Sequence, residues 1–138
     1  MSISKEKLNS ILLVDDDDTV NFFNEFLLKE LDVTEEIVVK ENGEEALDFL
    51  KNREVQKDLF PDLIFLDINM PVMDGFEFLE AYKNANLEDK TNALIVMLTT
   101  SLHPKDIEKA NSYPFISEYV YKPLTQDKIK EILSKHFQ

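Results

Sequence analysis

Four large apolar residues in a row, Leu63-Ile64-Phe65-Leu66, stand directly before a carboxylate, Asp67, and they constrain the fold more than any other feature of the chain. A run that is apolar at every position, not at alternate ones, describes a strand buried on both faces, as in a parallel sheet covered by helices. The run delivers Asp67 to the C-terminal end of that strand. Pro71 and Asp74-Gly75 mark the loop that follows, and Asp74 with Glu77 three residues on makes a capping box for a new helix. Open α/β sheets place their ligand sites outside the C-terminal ends of the strands. Asp67 therefore serves either chemistry or the cap of an ordinary turn, and the rest of the chain has to decide between the two.

The remaining segments repeat the same plan. Ile11 to Val14 is a first apolar strand, followed by Asp15, Asp16, Asp17 and Asp18. A helical pattern then places Val20, Phe23, Leu27 and Leu31 on one face, with Asp18 or Thr19 as the natural N-cap. Ile37 to Val39 is a second strand. Asn42 and Glu45 frame a second helix whose buried face is Ala46, Leu47 and Leu50, and Asn52 to Phe60 reads as a polar connection. After the central strand, Phe76, Leu79 and Tyr82 or Lys83 repeat at helical spacing and give a third helix reaching about Asn84. Ala93 to Leu98 is a fourth strand, and Pro104 opens a fourth helix ending near Asn111. Tyr119-Val120-Tyr121 is a fifth strand, and Thr125 caps a last helix carrying Ile129, Ile132 and Leu133. Strand and helix alternate five times without a long linker, the pattern of right-handed βαβ units in a doubly wound parallel sheet with helices on both faces. The expectation is a single domain over residues 1–138 with no effector domain attached.

Composition narrows the function classes. A net charge of −13 with no substantial run of Lys or Arg leaves no basic footprint, so neither nucleic acid nor an anionic membrane surface is an expected partner. No apolar stretch is long enough to cross a bilayer, and the N-terminus lacks the apolar core of a signal peptide, which points to the cytoplasm. Zero cysteines exclude disulfides, thiolate metal sites and a Cys nucleophile.

Because the strands are parallel, their C-terminal ends share one edge of the sheet. Asp15 and Asp16, Asp67, Thr99 and Lys122 each reach that edge from a different strand. If the first and third strands are neighbours, three carboxylates crowd together. Two unit charges at about 4 Å repel by about 1 kcal/mol in water and about 4 kcal/mol at an effective dielectric of 20. A hard divalent cation relieves such a cluster, and oxygen-only ligands favour Mg²⁺. Lys122 adds a further compensating charge. With both in place, Asp67 can attack a phosphoryl group, and a Thr hydroxyl can donate to one of its oxygens.

The residues Leu12-Leu13-Val14-Asp15-Asp16, Leu66-Asp67-Ile68-Asn69-Met70-Pro71-Val72-Met73-Asp74-Gly75, Leu98-Thr99 and Tyr119-Val120-Tyr121-Lys122-Pro123 resemble the response-regulator receiver domain of two-component signalling. Asn42-Gly43-Glu44-Glu45-Ala46-Leu47 is similar to that family's second-helix start, so the likeness covers nearly the whole chain. The resemblance implies a flavodoxin-like fold of strand order 2-1-3-4-5, the order that such chemotaxis receivers exemplify. It implies that Asp67 accepts a phosphoryl group from a sensor histidine kinase or histidine phosphotransfer protein. Asp16 would bind Mg²⁺ directly and Asp15 largely through water, with the Asn69 backbone carbonyl as another ligand. Lys122 would contact the phosphoryl group, and the Lys122–Pro123 peptide bond would be cis. Thr99 and Tyr119 would form the switch, with Thr100 beside them at the phosphoryl pocket. The face built from the fourth helix, fifth strand and fifth helix would meet a downstream protein target.

The sequence departs from the family pattern in two places. Thr100 stands where a small residue is usual, and its extra bulk narrows the phosphoryl pocket. No Gly lies between the fourth helix and the fifth strand, which leaves Asn111 as the expected left-handed cap. Two other classes fit less well. A haloacid-dehalogenase-type phosphatase needs a second Asp two residues after its nucleophile, where this chain has Asn69. A flavodoxin-like flavin binder needs a phosphate-cradling loop after the first strand, where Asp15 to Asp18 would repel the phosphate. The chain reads as a stand-alone phosphoacceptor that acts by protein contact or relays its phosphoryl group.

Overall fold

A computed structural model of the chain describes residues 7–137; residues 1–6, within the stretch read as lacking a signal sequence, and residue 138 lie outside the described residues. Five strands, β1 (Leu8–Val14), β2 (Thr34–Lys40), β3 (Leu63–Leu66), β4 (Leu94–Thr99) and β5 (Ile116–Tyr121), form one sheet in the order β2-β1-β3-β4-β5. Every neighbouring pair is parallel, with Val14 beside Leu66 and Leu66 beside Met97 at the C-terminal edge. The doubly wound, flavodoxin-like sheet expected from the apolar runs is therefore the one observed.

Side chains alternate across the sheet as its pleat requires. Leu12, Val14, Ile64, Leu66, Ile95 and Met97 enter one core, and Ile11, Leu13, Leu63, Phe65, Val96 and Leu98 enter the other. The first core is covered by α2 (Gly43–Gln56), α3 (Gly75–Asn84) and α5 (Pro104–Asn111), which contribute Leu50, Leu79 and Ala110. The second is covered by α1 (Asp18–Leu31) and α6 (Gln126–His136), which contribute Leu28 and Ile129. A short extra helix, α4 (Leu87–Thr91), lies in the connection before β4. The sequence offered no long periodic segment there. It is anchored by buried Leu87 and by a Tyr82–Thr91 side-chain hydrogen bond of 2.5 Å.

Several local expectations are corrected. The cap of α1 is Asp17, not Asp18 or Thr19: its carboxylate accepts the N–H groups of Thr19 and Val20. The buried face of α1 is Asn21, Asn24 and Leu28, while Phe23, expected inside, is 60% exposed; Val20, Leu27 and Leu31 flank the buried face and are half-buried. The cause is local, because the Asn21 amide donates to the Asp15 carbonyl oxygen at 2.8 Å and turns that side of the helix inward. Helix α2 continues through Gln56 into the stretch read as a connection. Asn111 stays inside α5, whose cap Ser112 has right-handed helical angles, so no left-handed residue is used there. Left-handed caps occur instead at Asp32 and Lys57, and neither glycine of the chain has positive φ.

Candidate functional site

Strand β1 ends by handing Asp15 into a turn, and the Asp67 N–H donates to the Val14 carbonyl at 3.0 Å. The two carboxylates thus leave the sheet side by side. Helix α3 holds the Asp67 segment from behind: the Gly75 N–H donates to the Ile68 carbonyl at 2.8 Å. A side chain at Gly75 would collide with the Asp67 carbonyl oxygen, so this close approach requires glycine. The Asp74–Glu77 capping box is formed in both directions and fixes where α3 begins.

Asp15, Asp16 and Asp67 each offer a carboxylate oxygen within 4.8 Å of the others. Asp15 and Asp67 are buried, whereas Asp16 is exposed at the mouth. Lys122 reaches across from the end of β5 to Asp15 Oδ2 at 2.6 Å and to Asp67 Oδ1 at 3.5 Å. The Asp17 N–H occupies Asp15 Oδ1 at 2.9 Å, and the Ile68 N–H occupies Asp67 Oδ1 at 2.9 Å. Among the described residues no hydrogen bond ends on Asp67 Oδ2, which leaves that oxygen uncommitted, as are the carboxylate oxygens of Asp16 at the mouth.

The electrostatics follow from this crowding. Burial, and then the charge of Asp15, push the Asp67 carboxyl up to about 6, although Lys122 and the Ile68 N–H pull the other way. Burial alone would lower Lys122. The hydrogen bond to Asp15 and the charges of Asp67 and Asp15 outweigh it, so the ammonium is held above its ordinary value.

The residues expected at the rim take distinct positions. Thr99 is fully buried at the end of β4; its carbonyl accepts the Lys122 N–H at 2.9 Å and its hydroxyl accepts the Ser101 N–H at 3.1 Å. The Tyr119 hydroxyl donates to the Ser101 carbonyl at 3.0 Å. Lys122–Pro123 is a cis peptide bond. Thr100 and Asn69 are exposed, and among the described residues no hydrogen bond ties either side chain to the carboxylates.

Sequence reasoning missed three residues that build the pocket. Lys128 donates to the Tyr121 and Pro123 carbonyls at 2.8 and 2.9 Å, and so braces the turn that carries Lys122. Asn21 and Asn24 are buried beneath the carboxylates. The available signal was their spacing, since residues 21, 24 and 28 share one helical face with a leucine at its far end.

The remaining loop feature is Val72, a β-branched residue at φ 67°. The Met73 N–H donates to the Pro71 carbonyl at 2.7 Å, closing a tight three-residue turn around it. Such a backbone is strained for valine and lies five residues from Asp67.

Comparison with known proteins agrees with this geometry. A family model described as the response regulator receiver domain matches residues 11–134. The chain is 31% identical to a probable C4-dicarboxylate response regulator DctR of Halalkalibacterium halodurans over 97% of its own length, and spans 54% of that longer relative. It is 32% identical to the chemotaxis protein CheY of Halobacterium salinarum, with 90% of this chain and 96% of the relative covered. The crystal structure of a two-component response regulator from Cytophaga hutchinsonii superposes with a TM-score of 0.84 at 33% identity, covering 94% of this chain and 97% of that one. With sheet order, acidic pocket and cross-sheet lysine already in place, these matches lead to one conclusion: the chain belongs to the receiver-domain family of two-component response regulators.

Proposed function

We propose that Asp67 accepts a phosphoryl group from a phosphohistidine on a sensor histidine kinase or histidine phosphotransfer protein, with Mg²⁺ as cofactor. The observation that carries this reading is Asp67 Oδ2, on which no hydrogen bond ends among the described residues, on a buried residue flanked by the carboxylates of Asp15 and Asp16 and by a lysine already directed at the same pocket. The donor set fits the metal. Asp15, Asp16 and Asp67 supply only oxygens, and the exposed Asp16 leaves one side open to water, which suits a hard ion that keeps part of its hydration shell. The Asn69 backbone carbonyl completes the proposed set. When bound, Mg²⁺ would supply positive charge that offsets the carboxylates and the incoming phosphoryl oxygens.

The chain's own residues do the rest. Asp67 Oδ2 attacks phosphorus in line with the departing imidazole nitrogen; a P–O bond forms as the P–N bond breaks, and the electron pair leaves with the imidazole. Lys122 meets the charge on the phosphoryl oxygens. The Thr99 hydroxyl, which accepts from Ser101, still has its own proton to donate, and Thr100 borders the same space. Taking up that new acceptor alters the Thr99–Ser101 contact, and Ser101 in turn holds Tyr119. This chain of hydrogen bonds is the proposed switch. Its output is a changed preference at the face of α5, β5 and α6 for a downstream protein, or onward relay of the phosphoryl group. The shift can be no larger than the difference in affinity of the phosphoryl group for the two states.

Intact-mass measurement after incubation with Mg²⁺ and acetyl phosphate tests the assignment. Wild type gains one phosphate and Asp67→Asn gains none. Equal labelling of the variant places the acceptor elsewhere.

A further inference from the structure

Helix α1 buries two amides where an amphipathic helix ordinarily buries leucines, and one is only half satisfied. Asn21 is 4% exposed; its Nδ2 donates to the Asp15 carbonyl, but its Oδ1 has no partner among the described residues. Beside it lies a cavity with about 10 Å³ open to the centre of a water molecule, enough for one water. Asp15, Asn21, Asn24 and Asp67 line it together with the apolar Leu13 and Phe65. A small cavity with several polar walls and an orphaned acceptor is the setting in which buried waters are retained, whereas dry cavities are apolar.

We propose that Asn21 is a positioning residue for the acidic pocket: it pins the Asp15 main chain directly and, through one water shared with Asn24, supports the Asp15 and Asp67 carboxylates from beneath. The water donates to Asn21 Oδ1 and to one of the two carboxylates, and accepts from the Asn24 amide. Asn21 Oδ1 then has a donor where, among the described residues, it is otherwise buried without one. Neither asparagine touches the ion. Their effect is to fix the spacing of the oxygens that do, as outer-shell partners do at metal sites. This inference rests on the metal reading of the pocket.

Two measurements test it. A crystal structure of wild type fine enough to show ordered solvent should contain one water within hydrogen-bond reach of Asn21 Oδ1; a dry cavity overturns the proposal. Magnesium titrations followed by amide chemical shifts should show Asn21→Leu weakened about tenfold or more and Asn24→Leu weakened less. Leu28→Ala, which loosens the same helix away from the pocket, should melt earlier yet bind magnesium as wild type does. Equal affinity in wild type and Asn21→Leu overturns this inference alone. Absence of saturable binding in wild type overturns the metal reading and this inference with it. Should Asn21→Leu fail to fold, Asn21→Ser removes the same tie with less bulk, and equal affinity in that variant is likewise fatal to the idea.

Discussion

Ile64 and Asp67 stand three residues apart on one segment, and both are buried. Ile64 has apolar partners on its side of the sheet, with Leu12 and Ile95 as its neighbours on the flanking strands. Asp67 has a like charge on one side, a lysine on the other and an oxygen on which no hydrogen bond ends among the described residues. One residue belongs to the body of the sheet, where every contact stabilises the fold. The other belongs to its edge, where contacts are arranged at the expense of stability. The contrast shows that this domain concentrates its unfavourable electrostatics on the few residues that would do chemistry.

Substitutions at the two places should therefore have opposite signs. Ile64→Ala should lower stability by about 2–5 kcal/mol in urea unfolding, since it removes fully buried methylenes and leaves a cavity. A loss below about 1 kcal/mol would mean that the body of the sheet is not the rigid part. Asp67→Asn should act the other way and stabilise the metal-free protein at neutral pH. The carboxyl is raised from 3.8 to about 6, roughly two units at about 1.4 kcal/mol each, which gives up to about 3 kcal/mol. A lower melting temperature in the variant would break the comparison.

The same shift fixes a pH dependence. Between about pH 4 and pH 6 the folded protein holds a proton on Asp67 that the unfolded chain has released. This contribution is fully present below the unfolded value and is lost as the pH rises through the folded one. Metal-free wild type should therefore lose stability relative to Asp67→Asn across that window, as read from unfolding midpoints at successive pH values. Parallel curves would show the carboxyl to be unstrained.

Magnesium sharpens the contrast by relieving the edge and leaving the body untouched. At a hundred times its dissociation constant it should add about 2.7 kcal/mol to wild type. Asp16→Asn, at the open side of the cluster, should gain less from the same magnesium concentration; an equal gain would place the ion elsewhere. The smallest effect belongs to the loop beside the edge. Val72→Gly should stabilise by about 0.5–1 kcal/mol, because glycine takes the positive-φ backbone of this turn without the Cβ strain that it costs valine. No gain in melting temperature would mean that the turn relaxes at no cost.

The sheet was legible in the sequence because each strand contains a short apolar run, and Leu63 to Leu66 requires burial on both faces. The polar residues Thr34 to Glu36 of β2 and Ser117 and Glu118 of β5 lie outside that signal, so these strands begin earlier than the sequence implied. The convergence of Asp15, Asp16, Asp67 and Lys122 was legible for a related reason: parallel strands share an edge, so motifs far apart in the chain need no further information to meet. Helix α1 was misread because hydrophobic periodicity assumes that apolar residues face inward. Here the hydrogen bond from Asn21 to Asp15 and the acidic pocket above it override that rule, leaving Phe22, Phe23 and Phe26 on the surface at 72%, 60% and 52% exposure. Helix α4 was missed because five residues are too few for a periodic signal, and its stability comes from tertiary contacts of Leu87 and Thr91.

The bond from Lys122 to Asp15 joins residues 107 positions apart. No fragment that lacks either end of that span contains both halves of the pocket, and a chain that has lost its strand order scatters them. Covalent labelling at Asp67 would thus double as a census of intact molecules. In a mixed population, the fraction that takes up phosphate should fall in step with the fraction still folded.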